Sequence, residues 1–196
     1  MNALDSLEHY GLLLFSDPRL PSLVSVTVGE PVRGSWMVHP RSHAIYAAMT
    51  ALEEAPSVLT TKLVAGKVTY VHRRLWHAVL AVATGREVWQ MNGLSPGARW
   101  LLSEVGAVGE IVTDTLAPPA GTRGRVADLA RELERRLLVH STEIHTPRGS
   151  HAKVLEPWQV WASRAGGVNV IRVQEGRQQL EAAAADLGPT ARLPWR

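Results

Sequence analysis

Twice along this chain, a segment of helical periodicity runs directly into two short strands separated by a turn. In "HPRSHAIYAAMTALEEAPS", Ile45, Ala48, Met49 and Leu52 fall at i, i+3, i+4 and i+7, one apolar stripe of an α-helix. Ser42 is the candidate cap and Pro56 the stop. "SVLTTKLVAGKVTYVH" follows, rich in β-branched residues and broken at Ala65-Gly66. Further on, "RVADLARELERR" and the leucine after it put Val126, Leu129, Leu133 and Leu137 on one side. Glu132 and Arg136 are read there as an i,i+4 pair facing solvent. "HSTEIHTPRGSHAK" then reads as two strands around a Pro147-Arg148-Gly149 turn.

Each hairpin implies a register. A turn at Ala65-Gly66 sets Leu63 opposite Val68, Thr61 opposite Tyr70 and Leu59 opposite His72. That face is apolar and would pack on helices, leaving Lys62, Lys67, Thr60 and Thr69 on the other. A slip of one residue reverses the two faces. In the second hairpin, a loop from Thr146 to Ser150 sets His145 opposite His151, Glu143 opposite Lys153 and His140 opposite Glu156.

The remaining segments read more simply. Asp17-Pro18 starts a turn, and Val24, Val26 and Val28 alternate as a half-buried strand would. "RRLWHAVLAVATG" is helical, with Gly85 as its stop. Ser95-Pro96 opens a second helical module whose stripe is Ala98, Leu101, Leu102 and Val105. "EIVTDTL" reads as a short strand, and "EPWQVWASR" extends or ends the last strand of the second hairpin. "GGVNVIRV" reads as a strand and "EGRQQLEAAAADLG" as a helix before a loosely tied end.

Helices followed by a hairpin within about 60–70 residues is the winged-helix plan, in which a helix meets a groove and the wing touches the adjacent backbone. The expected fold class is α+β: tandem winged-helix-like modules behind a small N-terminal β segment. The expected boundaries are 1–34 for that segment, 35–94 and 95–165 for the two modules, and 166–196 for a strand-helix tail. With this order, "KVTYVHRRLW" and "LARELERRLLVHS" make residues 35–165 resemble the tandem winged-helix proteins of the AlkZ-like (YcaQ-type) DNA glycosylase family. The family carries a catalytic Gln-x-Gln or Gln-x-Asp motif in an early helical segment. Here the first glutamine is Gln90 and no Gln-x-Gln occurs. The resemblance therefore implies DNA binding and carries over no catalytic residue.

Charge agrees with an anionic partner, double-stranded DNA first. Residues 31–90 hold seven basic residues against three acidic ones, whereas residues 1–30 hold one against four. The expected phosphate contacts are Lys62, Lys67, Arg73, Arg74, Arg148 and Lys153, with Arg148 outermost on its turn. Arg73 and Arg74 stand at a helix start, where positive charge opposes the dipole. Either they serve a phosphate or they pair with Glu53, Glu54 or Glu87.

Other constellations compete. His145, His151 and Glu143 would share one face, a set that suits zinc or non-haem iron. Lys153 beside them would repel a cation, and a solvated wing accounts for the same residues, so no metal and no cofactor is expected. Trp36, His39, His43 and His72 form a candidate polar cluster, although Pro40 disfavours helical geometry at His39. A small hydrolase or lyase would use that histidine-rich pocket. A third possibility is a protein-interaction module working through the wings and tryptophans. Seven tryptophans stand against one phenylalanine. Trp76 and Trp100 read as core, while Trp89, Trp158 and Trp161 would either pack the core or stack a flipped base.

Absences narrow the field. With no cysteine, disulfides, thiolate metal sites and a cysteine nucleophile are excluded. G-x-S-x-G, the P-loop, G-x-G-x-x-G and H-E-x-x-H do not occur. No apolar run is long enough to span a bilayer. "MNALDSLEHY" has acidic residues and no basic n-region, so the expected location is cytoplasmic.

Overall fold

The computed structural model describes residues 2–145, 151–169 and 171–196. The protein is α+β, with two small antiparallel sheets. Its contacts divide it into two units: residues 1–79 with 174–196, and residues 80–173.

The first unit opens with α1 (Ala3–Tyr10), fixed at its start by a reciprocal cap. Asn2 Oδ1 accepts from the Asp5 amide at 2.9 Å, and Asp5 Oδ2 accepts from the Asn2 amide at 3.0 Å. Gly11 ends the helix at φ 77°. A Cβ at Gly11 would also lie 2.9 Å from the Arg74 and Leu75 side chains. Gly11→Ala is therefore expected to destabilise this unit by at least about 1–2 kcal/mol, read as a lower urea midpoint.

β1 (Leu12–Leu14) follows, wholly buried. Asp17 then turns the chain, its Oδ1 accepting from the Arg19 and Leu20 amides at 2.8 and 3.0 Å. The alternating valines lie not on a strand but on α2 (Leu23–Val28). Val24 and Val28 fit both periods, because four residues is also one helical turn. Ser22 and Ser25 decide between them, each capping the other's backbone amide. A 3-10 turn at Trp36–Val38 leads to α3 (Ser42–Glu54). This helix has the expected stripe, with Ile45 and Leu52 buried and Ala48 and Met49 packed beside them. Arg41, not Ser42, occupies the cap position.

β2 (Val58–Thr61) and β3 (Thr69–His72) form the hairpin, and β1 pairs on the far side of β3, giving the order β1-β3-β2. The register differs from expectation by one residue: Leu59 faces Val71 and Thr60 faces Tyr70. The turn itself is where expected. Ala65 and Gly66 have φ of 51° and 66°, and the Lys67 amide donates to the Val64 carbonyl at 2.9 Å. Between turn and ladder, however, Lys62 and Leu63 stand against Val68 alone. Thr69 Oγ1 takes the Val64 amide at 3.1 Å, and the Val68 carbonyl is claimed by the Phe15 amide at 2.9 Å. The extra residue shifts the pairing as a β-bulge does. Leu7, Leu13, Leu23, Ile45, Leu52 and Tyr70 make the core of this unit.

α4 (Trp76–Thr84) contains the boundary between the units. In the second unit, α5 (Val88–Met91) precedes α6 (Pro96–Val108), which starts at the expected Ser95-Pro96 cap. β4 (Ile111–Val112), α7 (Val126–Arg135), β5 (His140–His145) and β6 (His151–Glu156) follow, with strand order β4-β6-β5. The second hairpin has the expected register, with His140 opposite Glu156, Glu143 opposite Lys153 and His145 opposite His151. β6 stops at Glu156, and "PWQVWASR" becomes α8 (Trp158–Arg164) rather than more strand. Leu101, Val105, Leu129, Leu133, Leu138 and Leu155 are central to this core.

Residues 166–172 form no strand among those described, and α9 (Val173–Leu187) follows. Neither the first 34 residues nor the last helix stands apart. α1, β1 and α2 build the first unit, and α9 buries Leu180, Ala183, Ala184 and Leu187. The end is tied down as well: the Ala65 amide donates to the Arg192 carbonyl at 2.7 Å, and Trp195 Nε1 to Glu181 at 2.8 Å. Among the described residues, no helix is long and apolar enough to cross a membrane.

Candidate nucleic-acid interface

Three of the six cations singled out in the sequence hold the fold together. Lys67 Nζ lies 2.6 Å from Oδ2 of buried Asp17. Arg74 closes the C-terminus of α1, its Nη1 donating to the Glu8 carbonyl at 2.6 Å and its Nη2 to the His9 carbonyl at 2.9 Å. Lys153 Nζ lies 2.5 Å from both oxygens of Glu134, which also accepts from Ser141 Oγ at 2.5 Å. Glu134 is 4% exposed, so this is a buried pair. Arg73 is exposed and makes no side-chain hydrogen bond among the described residues, while Lys62 is half-buried. Arg148 lies outside the described residues. None of the acidic partners expected for Arg73 and Arg74 is used: Arg74 takes backbone carbonyls.

Nor do Trp36, His39, His43 and His72 converge. Trp36 packs edge-on against Phe15 at 5.6 Å. His39 Nδ1 accepts from the Arg41 amide at 3.1 Å, a local turn. His43 is exposed on α3. His72 Nδ1 is buried without a hydrogen-bond partner among the described residues. Burial, then the nearby Arg74 and Arg73, lower its basicity against an opposing pull from Glu8. No hydrogen bond or ring contact joins any two of the four among the described residues, so the histidine pocket of the hydrolase reading does not assemble.

The tryptophans of the second unit divide. Trp158 and Trp161 are buried, stack edge to face at 5.6 Å and enclose the His140 ring at 5.4 and 5.7 Å. They belong to the core and offer no face to a base. Trp89 is half-buried, its Nε1 donating to Glu87 at 2.9 Å. His140 and its cross-strand neighbour Glu156 belong to a polar cluster whose third member, Arg164, the sequence did not suggest. Glu156 accepts from His140 Nδ1 at 2.8 Å and from Arg164 Nη1 at 2.8 Å, and Arg164 Nη2 also donates to it. Burial alone would raise the Glu156 carboxyl, but the His140 and Arg164 hydrogen bonds outweigh it and hold it below the ordinary glutamate value.

A cationic surface exists elsewhere, on α7. Its inner side buries Leu129, Ala130, Leu133 and Glu134, which turns Arg131 and Arg135 outward one helical turn apart. Arg123 and Arg125, both exposed, stand at its N-terminal end. Asp128 lies among them, taking Arg125 Nε at 3.1 Å and Arg131 Nη1 at 2.6 Å. The Arg125 hydrogen bond, with Arg131 beside it, holds the Asp128 carboxyl below its ordinary value. The other nearby carboxylates are occupied. Glu134 is buried with Lys153, and Glu132 accepts from the Ser95 amide at 2.9 Å and Ser95 Oγ at 2.6 Å.

Arg136 is therefore not the partner of Glu132. Its Nη1 donates to the carbonyls of Trp89, Gln90 and Asn92, at 3.1, 3.0 and 2.7 Å. What remains outside is four arginines against one aspartate. The signal was in the sequence as the i,i+4 pair Arg131 and Arg135, with Arg123 and Arg125 just before the helix start.

At the hairpin end, the His145 and His151 rings lie with centroids 4.2 Å apart, and His151 Nδ1 is 2.7 Å from Glu143 Oε1. Among the described residues, no three His, Asp or Glu side chains converge to hold a metal. Comparison with protein-family models, curated proteins and solved structures finds no match to this chain.

Proposed function

We propose that this chain is a tandem winged-helix protein that binds double-stranded DNA through α7 of its second unit, with the β5–β6 hairpin as the adjoining wing. The observation that carries this reading is the outward pair Arg131 and Arg135 on the helix that runs into that hairpin, with exposed Arg125 at its N-cap. Arginines at the start and along the outer face of such a helix suit phosphate contacts and base edges in a groove. The element order supports the fold assignment: a helix and a strand, then α7 alone in the second unit or α2 and α3 in the first, then a hairpin whose second strand is central. The first unit's corresponding helix, α3, exposes Tyr46, Ala47, Ala51 and Glu54 and offers no comparable cationic row. A relation to AlkZ-like glycosylases is part of the proposal. With no Gln-x-Gln motif, the role is binding in DNA repair or transcriptional control.

The test is duplex binding across a salt series. Replacing Arg131 and Arg135 by Ala removes two phosphate contacts and makes the slope of log K against log salt shallower by about 1.8. Lys62→Ala leaves the slope unchanged. No binding to several duplexes at low salt, or an unchanged slope in the double variant, overturns the reading.

A second reading, a protein-interaction module, rests on Met37, Val38 and Tyr46. These large apolar side chains are among the most exposed, and the first two lie in the 3-10 turn packed beside α3.

A further inference from the structure

We propose that His145 and His151 bind a divalent transition-metal ion, zinc or nickel, as a two-imidazole site at the end of the β5–β6 hairpin. The two residues are direct cross-strand partners, and their rings already lie side by side, 4.2 Å between centroids. Side-chain rotation alone brings a nitrogen of each onto one ion.

Glu143 supplies the next layer. A carboxylate can only accept, so with Glu143 Oε1 2.7 Å from His151 Nδ1 the tautomer that fits carries its proton on that nitrogen. A ring carrying its proton on Nδ1 can offer a metal only Nε2, which makes no hydrogen bond among the described residues. A histidine ligand whose other nitrogen is held by a carboxylate is the usual arrangement at metal centres, where the partner fixes the tautomer and raises basicity. Glu143 is thus a positioning residue, which is consistent with there being no convergent three-ligand set.

The objection from the sequence was Lys153, directly opposite Glu143. Its ammonium is instead held by the Glu134 carboxylate at 2.5 Å, and that carboxylate offsets its charge. His151 and Glu143 are 57% and 62% exposed, so an ion enters without extensive desolvation and keeps water at its remaining positions. Two neutral imidazoles select zinc, nickel or copper(II) over magnesium or calcium, which favour oxygen ligands. A bound ion would tie the two strands at their far end, stabilising the hairpin by mass action.

The inference is independent of DNA binding, because its readout is metal uptake. Tag-free full-length protein is titrated with zinc chloride by calorimetry, and with nickel while the histidine ring protons are followed by NMR. One zinc ion per chain is expected, with nickel broadening selectively two of the eight histidines. His145→Ala and His151→Ala abolish uptake, Glu143→Gln weakens it by about tenfold or more, and His43→Ala leaves it unchanged. No zinc uptake at millimolar metal, undiminished uptake in either alanine variant, or equal competition by magnesium overturns the proposal. The broadening pattern in the unmodified chain locates the site without relying on a variant's fold.

Discussion

Lys153→Met is expected to destabilise the second unit by about 3–5 kcal/mol, because it strands a carboxylate inside the protein. Glu134 is 4% exposed, and the Lys153 ammonium faces both of its oxygens. Removing the lysine takes both of those contacts from the carboxylate and leaves it the hydrogen bond from Ser141 Oγ. The reverse change, Glu134→Met, costs less. Lys153 is 21% exposed and can turn its ammonium toward water. Replacing both with apolar residues of similar volume recovers most of the loss, since the pair itself contributes little beyond mutual compensation. Urea unfolding of the three variants, followed by fluorescence of buried Trp158 and Trp161, measures this. A Lys153→Met variant with unchanged midpoint but weakened DNA binding would return Lys153 to the role the sequence suggested, a phosphate contact.

That reversal shows where the sequence was legible. The stripes Ile45-Ala48-Met49-Leu52 and Ala98-Leu101-Leu102-Val105 were readable because burial of one helical face imposes its period. The β5–β6 register was readable because its ladder runs without interruption from His140 to His145. The β2–β3 register was not, since its bulge goes with a side-chain hydrogen bond from the Val64 amide to Thr69 and a long-range one from the Phe15 amide to the Val68 carbonyl, which no alternation pattern encodes. Val24, Val26 and Val28 were ambiguous in period, and only the Ser22/Ser25 cap separated helix from strand.

Charge was the hardest layer. A lysine or arginine looks the same in sequence whether it meets a phosphate, a buried carboxylate or the end of a helix. Lys67, Arg74 and Lys153 met the fold's own acceptors. The α7 arginines were passed over because their helix was read for its leucines and its supposed Glu132–Arg136 pair. The apolar face and the pattern of exposed charge had to be taken together.

A loss of stability in acid is expected from Glu156. It is 3% exposed, and its carboxyl is held below the ordinary value by His140 and Arg164 despite burial. A carboxyl whose folded value is lowered contributes stability that is fully present above its unfolded value and is lost as pH falls through the folded one. The loss therefore begins near the ordinary glutamate value of 4.5 and continues below it. Glu156→Gln keeps the shape but replaces one acceptor oxygen with an NH2 group. That group faces donors, the His140 Nδ1–H and the Arg164 guanidinium, so the variant should lose about 3–5 kcal/mol at neutral pH. Other lowered carboxyls, Asp17, Asp128 and Glu181, titrate in both proteins. The informative quantity is thus the difference between the two melting curves as a function of pH. It should be large at pH 7 and shrink steadily through the acid range, as protonation of Glu156 in the unmodified chain removes the charge that the variant already lacks. A difference that stays constant from neutral pH down to acid unfolding would show that the carboxylate's charge does not hold His140 and Arg164 in place.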